Sequence, residues 1–131
     1  MKILIVEDEA LTAMSMQAIL EDNGHTVVDI ADDGASALRA AERERPQLAF
    51  VDIQLAGGES GIDVASRLRE MGIPVLFSTG NCPGPKGANL AIGCLHKPVS
   101  EEQLAGSTAV AEAVIRSAPP PSPPPGMHLY I

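Results

Sequence analysis

Leu48-Ala-Phe-Val51 is a run of four apolar residues that ends on a charge, Asp52. Pro46 bounds the run upstream and Gly57-Gly58 downstream, so it reads as a strand buried on both faces, of the kind held at the centre of a parallel sheet. Such a sheet needs covering on both sides, and the rest of the chain has to supply the cover. A carboxylate at the mouth of a buried strand is costly unless something pairs with it, because desolvation disfavours the charged form. Taken alone, Asp52 would serve as a helix cap or a turn residue. The polar ends of the other strands shift that balance.

Ile3 to Val6 forms a first buried strand and ends in Glu7-Asp8-Glu9. A helix follows from about Ala10 to Asp22, with Leu11, Met14, Ala18 and Leu20 expected on its inner side and Asn23-Gly24 as its stop. Thr26 to Ala31 is a second strand, and Asp32 or Asp33 caps a helix running to about Glu44 with Ala37, Leu38 and Ala41 inward. After the Asp52 strand, a glycine-rich loop leads to a helix opened by Ser60-Gly-Ile-Asp63 and closed by Gly72, with Ile62, Ala65, Leu68 and Met71 inward. Pro74 to Ser78 is a fourth strand ending in Thr79-Gly80-Asn81, and a short fifth around Cys94 to His96 ends at Lys97-Pro98. Between them Pro83, Gly84, Pro85 and Gly87 oppose a helix, since interior proline costs about 3 kcal/mol and glycine about 1 kcal/mol relative to alanine. Only Lys86 to Ile92 could be helical there, so the helix between the fourth and fifth strands is expected to be short, irregular, displaced or missing. The capping box Ser100-Glu-Glu-Gln103 opens a last helix to about Arg116.

Strands alternating with helices in this way predict an α/β fold, a doubly wound five-stranded parallel sheet of order 2-1-3-4-5 with right-handed crossovers. The expected domain spans residues 1–117. Residues 118–131, with Pro119-Pro-Pro-Ser-Pro-Pro-Pro125, are expected to form an extended, disordered, Pro-rich tail.

Phe50, Phe77 and Tyr130 are the only aromatic residues among 131, so the core is built from aliphatic side chains and no platform exists for stacking nucleic-acid bases. A net charge of -8 disfavours phosphate backbones and anionic membranes, and where the acids cluster it favours a divalent cation. Cys82 and Cys94 lack zinc-ligand spacing and signal no disulfide framework, so reduced thiols are expected. The apolar stretch after Lys2 is too short for a signal peptide, and no run spans a bilayer. A cytoplasmic location is the expectation.

In doubly wound sheets the site lies outside the carboxyl ends of the strands. Those ends bring together Glu7, Asp8, Asp52, Thr79 and Lys97, positions up to ninety residues apart. Three neighbouring carboxylates repel one another unless a cation neutralises them, and magnesium fits as a hard ion that takes oxygen ligands and retains waters. Its expected ligands are Asp8, Asp52 and the backbone carbonyl of Gln54, with Glu7 acting through water. A carboxylate beside magnesium can attack phosphorus, while Lys97, Thr79 and the metal stabilise charge on the equatorial oxygens.

The same five positions look like the receiver domain of two-component response regulators, over roughly Lys2 to Arg116. The resemblance implies a flavodoxin-like receiver fold in a signalling protein rather than an enzyme. It implies that Asp52 accepts a phosphoryl group from a sensor histidine kinase, that Glu7 and Asp8 form the acidic metal pair, that Lys97 contacts the phosphoryl group and that Thr79 is the switch hydroxyl. A downstream protein partner or phosphotransfer protein would read the change. Phe77-Ser-Thr-Gly80 further resembles the motif of single-domain "FAT GUY" receivers of alphaproteobacteria. The chain departs from most receivers at Cys94, where a Tyr or Phe usually stands three residues before the Lys, and at Ala56, where Pro is common.

Other readings fare worse. A haloacid-dehalogenase-like phosphatase needs Asp-x-Asp after the first strand, where this chain has Glu7-Asp8-Glu9. An FMN binder needs a phosphate loop there, and these acids would repel the phosphate. A pseudo-receiver, binding partners without being phosphorylated, would not need the complete set of acids, Thr79 and Lys97.

Overall fold

The computed structural model describes residues 1–84, 87 and 89–130. In chain order the elements are β1 (Lys2–Val6), α1 (Ala10–Asp22), β2 (Thr26–Ala31), α2 (Gly34–Glu44), β3 (Leu48–Val51), α3 (Gly61–Glu70), β4 (Val75–Thr79), β5 (Gly93–His96), α4 (Glu101–Ile115) and β6 (Met127–Leu129), with a short 3-10 turn at Ala56–Gly58. The sheet order is β2-β1-β3-β4-β5-β6. The first five strands are parallel in the expected order, and β6 pairs antiparallel with β5.

Strand alternation explains why the central strands read as unbroken apolar runs. Ile3, Ile5, Leu48 and Phe50 point to one face, where they join Ala13, Met16 and Leu20 of α1 and Leu104 and Ala111 of α4. Leu4, Val6, Ala49 and Val51 point to the other, where they join Ala37 and Ala41 of α2 and Val64, Ala65 and Leu68 of α3. Each face is thus covered, and neither side of β1 or β3 can carry a polar residue until the strand ends.

Local sequence fixes the helix ends. Asp33 caps α2 by accepting the Ser36 N–H at 2.8 Å. Ser60 accepts the Ile62 N–H at 3.2 Å to open α3. The Ser100 box is complete, with Gln103 N donating to Ser100 Oγ at 3.1 Å and Ser100 N to Gln103 Oε1 at 2.9 Å.

Three expectations need correction. In α1 the buried residues are Ala13, Met16 and Leu20, while Leu11 and Met14 stand 78% and 60% exposed and Ala18 is exposed too. The helix carries two apolar stripes of the same spacing, offset by two positions, so periodicity alone does not choose between them. The thiols are not free: Cys82 and Cys94 form a disulfide, their Cα atoms 6.1 Å apart. Twelve residues of separation conceal this, because the β4–β5 connection folds back over the strand it precedes.

Third, the sheet has six strands, not five, and residues 127–129 of the expected disordered tail supply the sixth. Tyr130 N donates to Ile92 O at 2.9 Å and His96 N to Gly126 O at 3.2 Å, while Gln103 Nε2 donates to Pro125 O at 2.7 Å. The tail's composition predicts no core of its own, and it uses the core edge instead. With about 1 kcal/mol net for each hydrogen bond, deleting residues 118–131 is expected to cost about 2–4 kcal/mol. Urea denaturation of the shortened chain measures this, and an unchanged midpoint would contradict the docking.

The connection between β4 and β5, expected to carry a short or irregular helix or none, holds no helix among the described residues. Gly87 N donates to Gly84 O at 3.1 Å and Leu90 N to Gly87 O at 3.0 Å, which makes successive turns. Lys86 and Ala88, part of the stretch Lys86 to Ile92 that could be helical, lie outside the described residues, as does Pro85. Cys82, Leu90, Ala91 and Tyr130 lie over the sheet here.

Candidate functional site

The sheet places its polar residues one position beyond the ladder. Glu7 N donates to Ala31 O, Asp52 N to Val6 O and Lys97 N to Thr79 O, each at 2.9 Å. The backbone is therefore still held as in a strand where each side chain emerges. Glu7, Asp52 and Thr79 are buried, at 3%, 7% and 1% exposure, while Asp8 is exposed at the rim.

Lys97 joins two of the acids. Its Nζ donates to Glu7 Oε1 and, at 3.0 Å, to Asp52 Oδ2. The other Asp52 oxygen accepts the Gln54 N–H at 3.1 Å, which fixes the carboxylate plane. Thr79 Oγ1 accepts the Asn81 N–H at 3.3 Å. Burial pushes the Glu7 carboxyl up to about 7; the hydrogen bond from Lys97 offsets part of that, and Asp52 adds to it. For Lys97, burial works to lower the ammonium, but its bonds to Glu7 and Asp52 outweigh burial and raise it.

Carboxylate oxygens of Glu7, Asp8 and Asp52 lie within 4.8 Å of one another. Among the described residues one ammonium, that of Lys97, faces these acids, and a buried carboxyl raised toward neutrality marks a site short of positive charge. The donor set, all hard oxygen, suits a small divalent cation. Every residue expected at the site from the strand ends is thus at this edge.

One contributor escaped the sequence reading. Gly61, the first residue of α3, lies so close to β3 that a Cβ there would sit 1.9 Å from Asp52 O. Its N–H donates to Ile53 O at 2.7 Å, so the start of α3 is tied directly to the backbone that carries Asp52. The only sequence signal is a glycine directly after a capping serine. Glu59 adds a second tie, since its Oε1 accepts the Gly34 N–H at 2.6 Å and binds the loop to α2.

The model of the response regulator receiver domain matches residues 3–109. The chain belongs to that family. It is 45% identical over 80 residues to the phyllosphere-induced regulator PhyR of Methylorubrum extorquens, covering 60% of this chain and 30% of PhyR. The crystal structure of the response regulator PhyR from Brucella abortus is similar with a TM-score of 0.68 and 34% identity, over 79% of this chain and 44% of that one. The receiver domain of a modulated diguanylate cyclase from Desulfovibrio desulfuricans is similar with a TM-score of 0.73 and 31% identity, over 88% of this chain and 97% of that one. The chain therefore spans less than half the length of these PhyR proteins and about the length of an isolated receiver domain. The PhyR relatives also support the likeness to the FAT GUY subgroup drawn on Phe77 to Gly80. No helix among the described residues is long and apolar enough to cross a membrane.

Proposed function

We propose that this receiver acts as a response regulator that accepts a phosphoryl group on Asp52 from the phosphohistidine of a sensor histidine kinase in the cytoplasm. One observation carries the reading: Lys97 Nζ stands 3.0 Å from Asp52 Oδ2, where it would meet a phosphoryl group on that carboxylate. The new bond joins an Asp52 oxygen to phosphorus as the phosphorus–nitrogen bond breaks, and the electron pair leaves with the imidazole. Glu7, Asp8, Asp52 and the Gln54 carbonyl would hold a magnesium ion, which when bound offsets charge on the transferring oxygens. Thr79 would donate its hydroxyl to the attached phosphoryl group, giving up its contact with Asn81.

The partner reading has support on the surface. A groove lined by Leu11, Ser15, Ile19, Pro98, Val99 and Leu104 opens beside Lys97, and Leu11 is largely exposed at its edge. An apolar helix face of the phosphodonor fits such a groove. With Cys94 in place of a swinging aromatic, the output passes through the connection after Thr79 to a downstream protein or phosphotransfer partner.

Incubation with magnesium and acetyl phosphate, followed by intact mass measurement, tests the reading. A phosphoryl adduct that needs magnesium is expected, and its absence would overturn the proposal. Lys97→Ala is expected to cut adduct formation on the order of a hundredfold or more, as for loss of an oxyanion donor. Magnesium affinity should hold or rise, because an ammonium cannot be a ligand and no longer competes for the acids. Loss of magnesium binding would contradict these roles.

A further inference from the structure

Cys82 lies three residues after Thr79, and Cys94 lies three residues before Lys97. The disulfide therefore ties together the two segments that bring a hydroxyl and an ammonium to the site, already joined at their base by Lys97 N donating to Thr79 O at 2.9 Å. Cys94 is fully buried in the middle of β5, paired in register with Phe77 on one side and His128 on the other. Cys82 is half-buried, in a connection that lacks a helix among its described residues. Among the described residues, the two ends of this stretch are held by Asn81 N donating to Thr79 Oγ1 at 3.3 Å and by Ile92, whose N donates to Val75 O at 2.8 Å and whose O accepts from Tyr130 N at 2.9 Å; between them are two turn bonds and the Tyr130 hydroxyl donating to Pro83 O at 3.2 Å. The disulfide is the one covalent anchor of the segment that follows Thr79.

We propose that Cys82–Cys94 is a reversible thiol–disulfide site, exchanged by low-molecular-weight thiols and disulfides, that sets the freedom of the described residues between Asn81 and Ile92. In the cytoplasmic setting of the proposed function, a disulfide fits redox sensing better than a permanent structural role. The external thiolate attacks Cys82 Sγ, the more accessible sulfur. A mixed disulfide forms there, the Cys82–Cys94 bond breaks, and its electron pair leaves on Cys94 Sγ, which takes a proton. A second thiolate attacks the external sulfur of the mixed disulfide, releasing Cys82 as a thiol and the reagent as its disulfide. Two electrons pass from the reagent to the protein, and an oxidised low-molecular-weight disulfide reverses the sequence.

The fold is built to persist in both states. The ladder around Cys94 is backbone, and as a thiol the residue remains a small apolar group in an apolar place. What changes is the connection, which the bond closes into a ring around Pro83, Gly84 and Gly87. Release of a buried Cys94 thiolate is unfavourable while the segment is closed, so reduction requires it to open. Building on the proposed function, a phosphoryl group that draws Thr79 inward would then bias reduction, and reduction would bias phosphorylation by the same factor.

The test equilibrates the intact chain in buffers of reduced and oxidised dithiothreitol, traps thiols by alkylation and counts them by mass. A passage from no labelled thiol to two across the series is expected, reversible on reoxidation. Amide exchange across Asn81 to Ile92 should rise roughly tenfold or more on reduction, with the strands unchanged. Cys82→Ser should match the reduced state and ignore the buffer. Two reactive thiols in the untreated protein, resistance of the folded chain to reduction, or reduction with unaltered exchange would each overturn the proposal. None of these readouts needs phosphorylation, so a failure to form the acetyl phosphate adduct would count against the proposed function alone.

Discussion

Asp52→Ala is expected to abolish the phosphoryl adduct formed from acetyl phosphate, with no residual modification elsewhere on the chain. Glu7 and Asp8 are acids of the same cluster, yet neither is placed as Asp52 is. Asp8 is exposed at the rim, and the Glu7 oxygen facing inward is occupied by Lys97. Glu7 and Asp52 each give one oxygen to Lys97 and accept a backbone N–H on the other, at 3.4 Å from Glu9 and 3.1 Å from Gln54, but only Asp52 follows the central strand β3, between the strands that lead to Glu7 and Thr79. The fold should survive, because Lys97 keeps Glu7 as a partner and no buried charge is left alone. Circular dichroism and a melting curve check the fold, and intact mass reads the adduct. An adduct retained on Asp8 or Glu7 would move the acceptor and sink the assignment.

Gly61→Ala is expected to have the second largest effect, and through backbone rather than chemistry. The added methyl would have to displace Asp52 O, which lies 1.9 Å from its ideal position, or push α3 off the sheet. Overpacking of this sort costs about 1–3 kcal/mol. A shift of Asp52 by about 1 Å would also slow phosphotransfer on the order of a hundredfold, since reactivity depends steeply on alignment. Gly84→Ala is the control, because a methyl there meets nothing within 4 Å and its stability should be unchanged. Were Gly61→Ala to melt and react like the native chain, the close approach would have no functional weight.

The order of the five parallel strands and the edge that gathers Glu7, Asp8, Asp52, Thr79 and Lys97 were legible because both rest on short-range rules. Apolar runs end where burial ends, and the next residue is the one that reaches this edge. The inner face of α1 was not legible, because Leu11 and Met14 repeat with the same spacing as Ala13 and Met16. The disulfide and the sixth strand depend on long-range placement that no local pattern encodes. Traces of the docked tail are present only in retrospect: Gly93 leaves room for His128 O, 2.5 Å from where a Cβ would sit, and Gly106 lets Pro124 lie against α4. A proline-dense tail reads as unable to fold, which is true of it alone and says nothing of an edge that can accept it.

The docked strand also governs how this protein behaves in crowded solution. Without β6, the outer side of Gly93–His96 would offer a row of unpaired donors and acceptors to any other extended chain, including its own copies. With β6 in place the exposed rim is only three residues long, and Pro123, Pro124 and Pro125 just before it lack the N–H groups a growing ladder requires. The tail thus acts as a stopper against self-association. A chain cut before Met127 should become turbid at concentrations where the full chain stays clear.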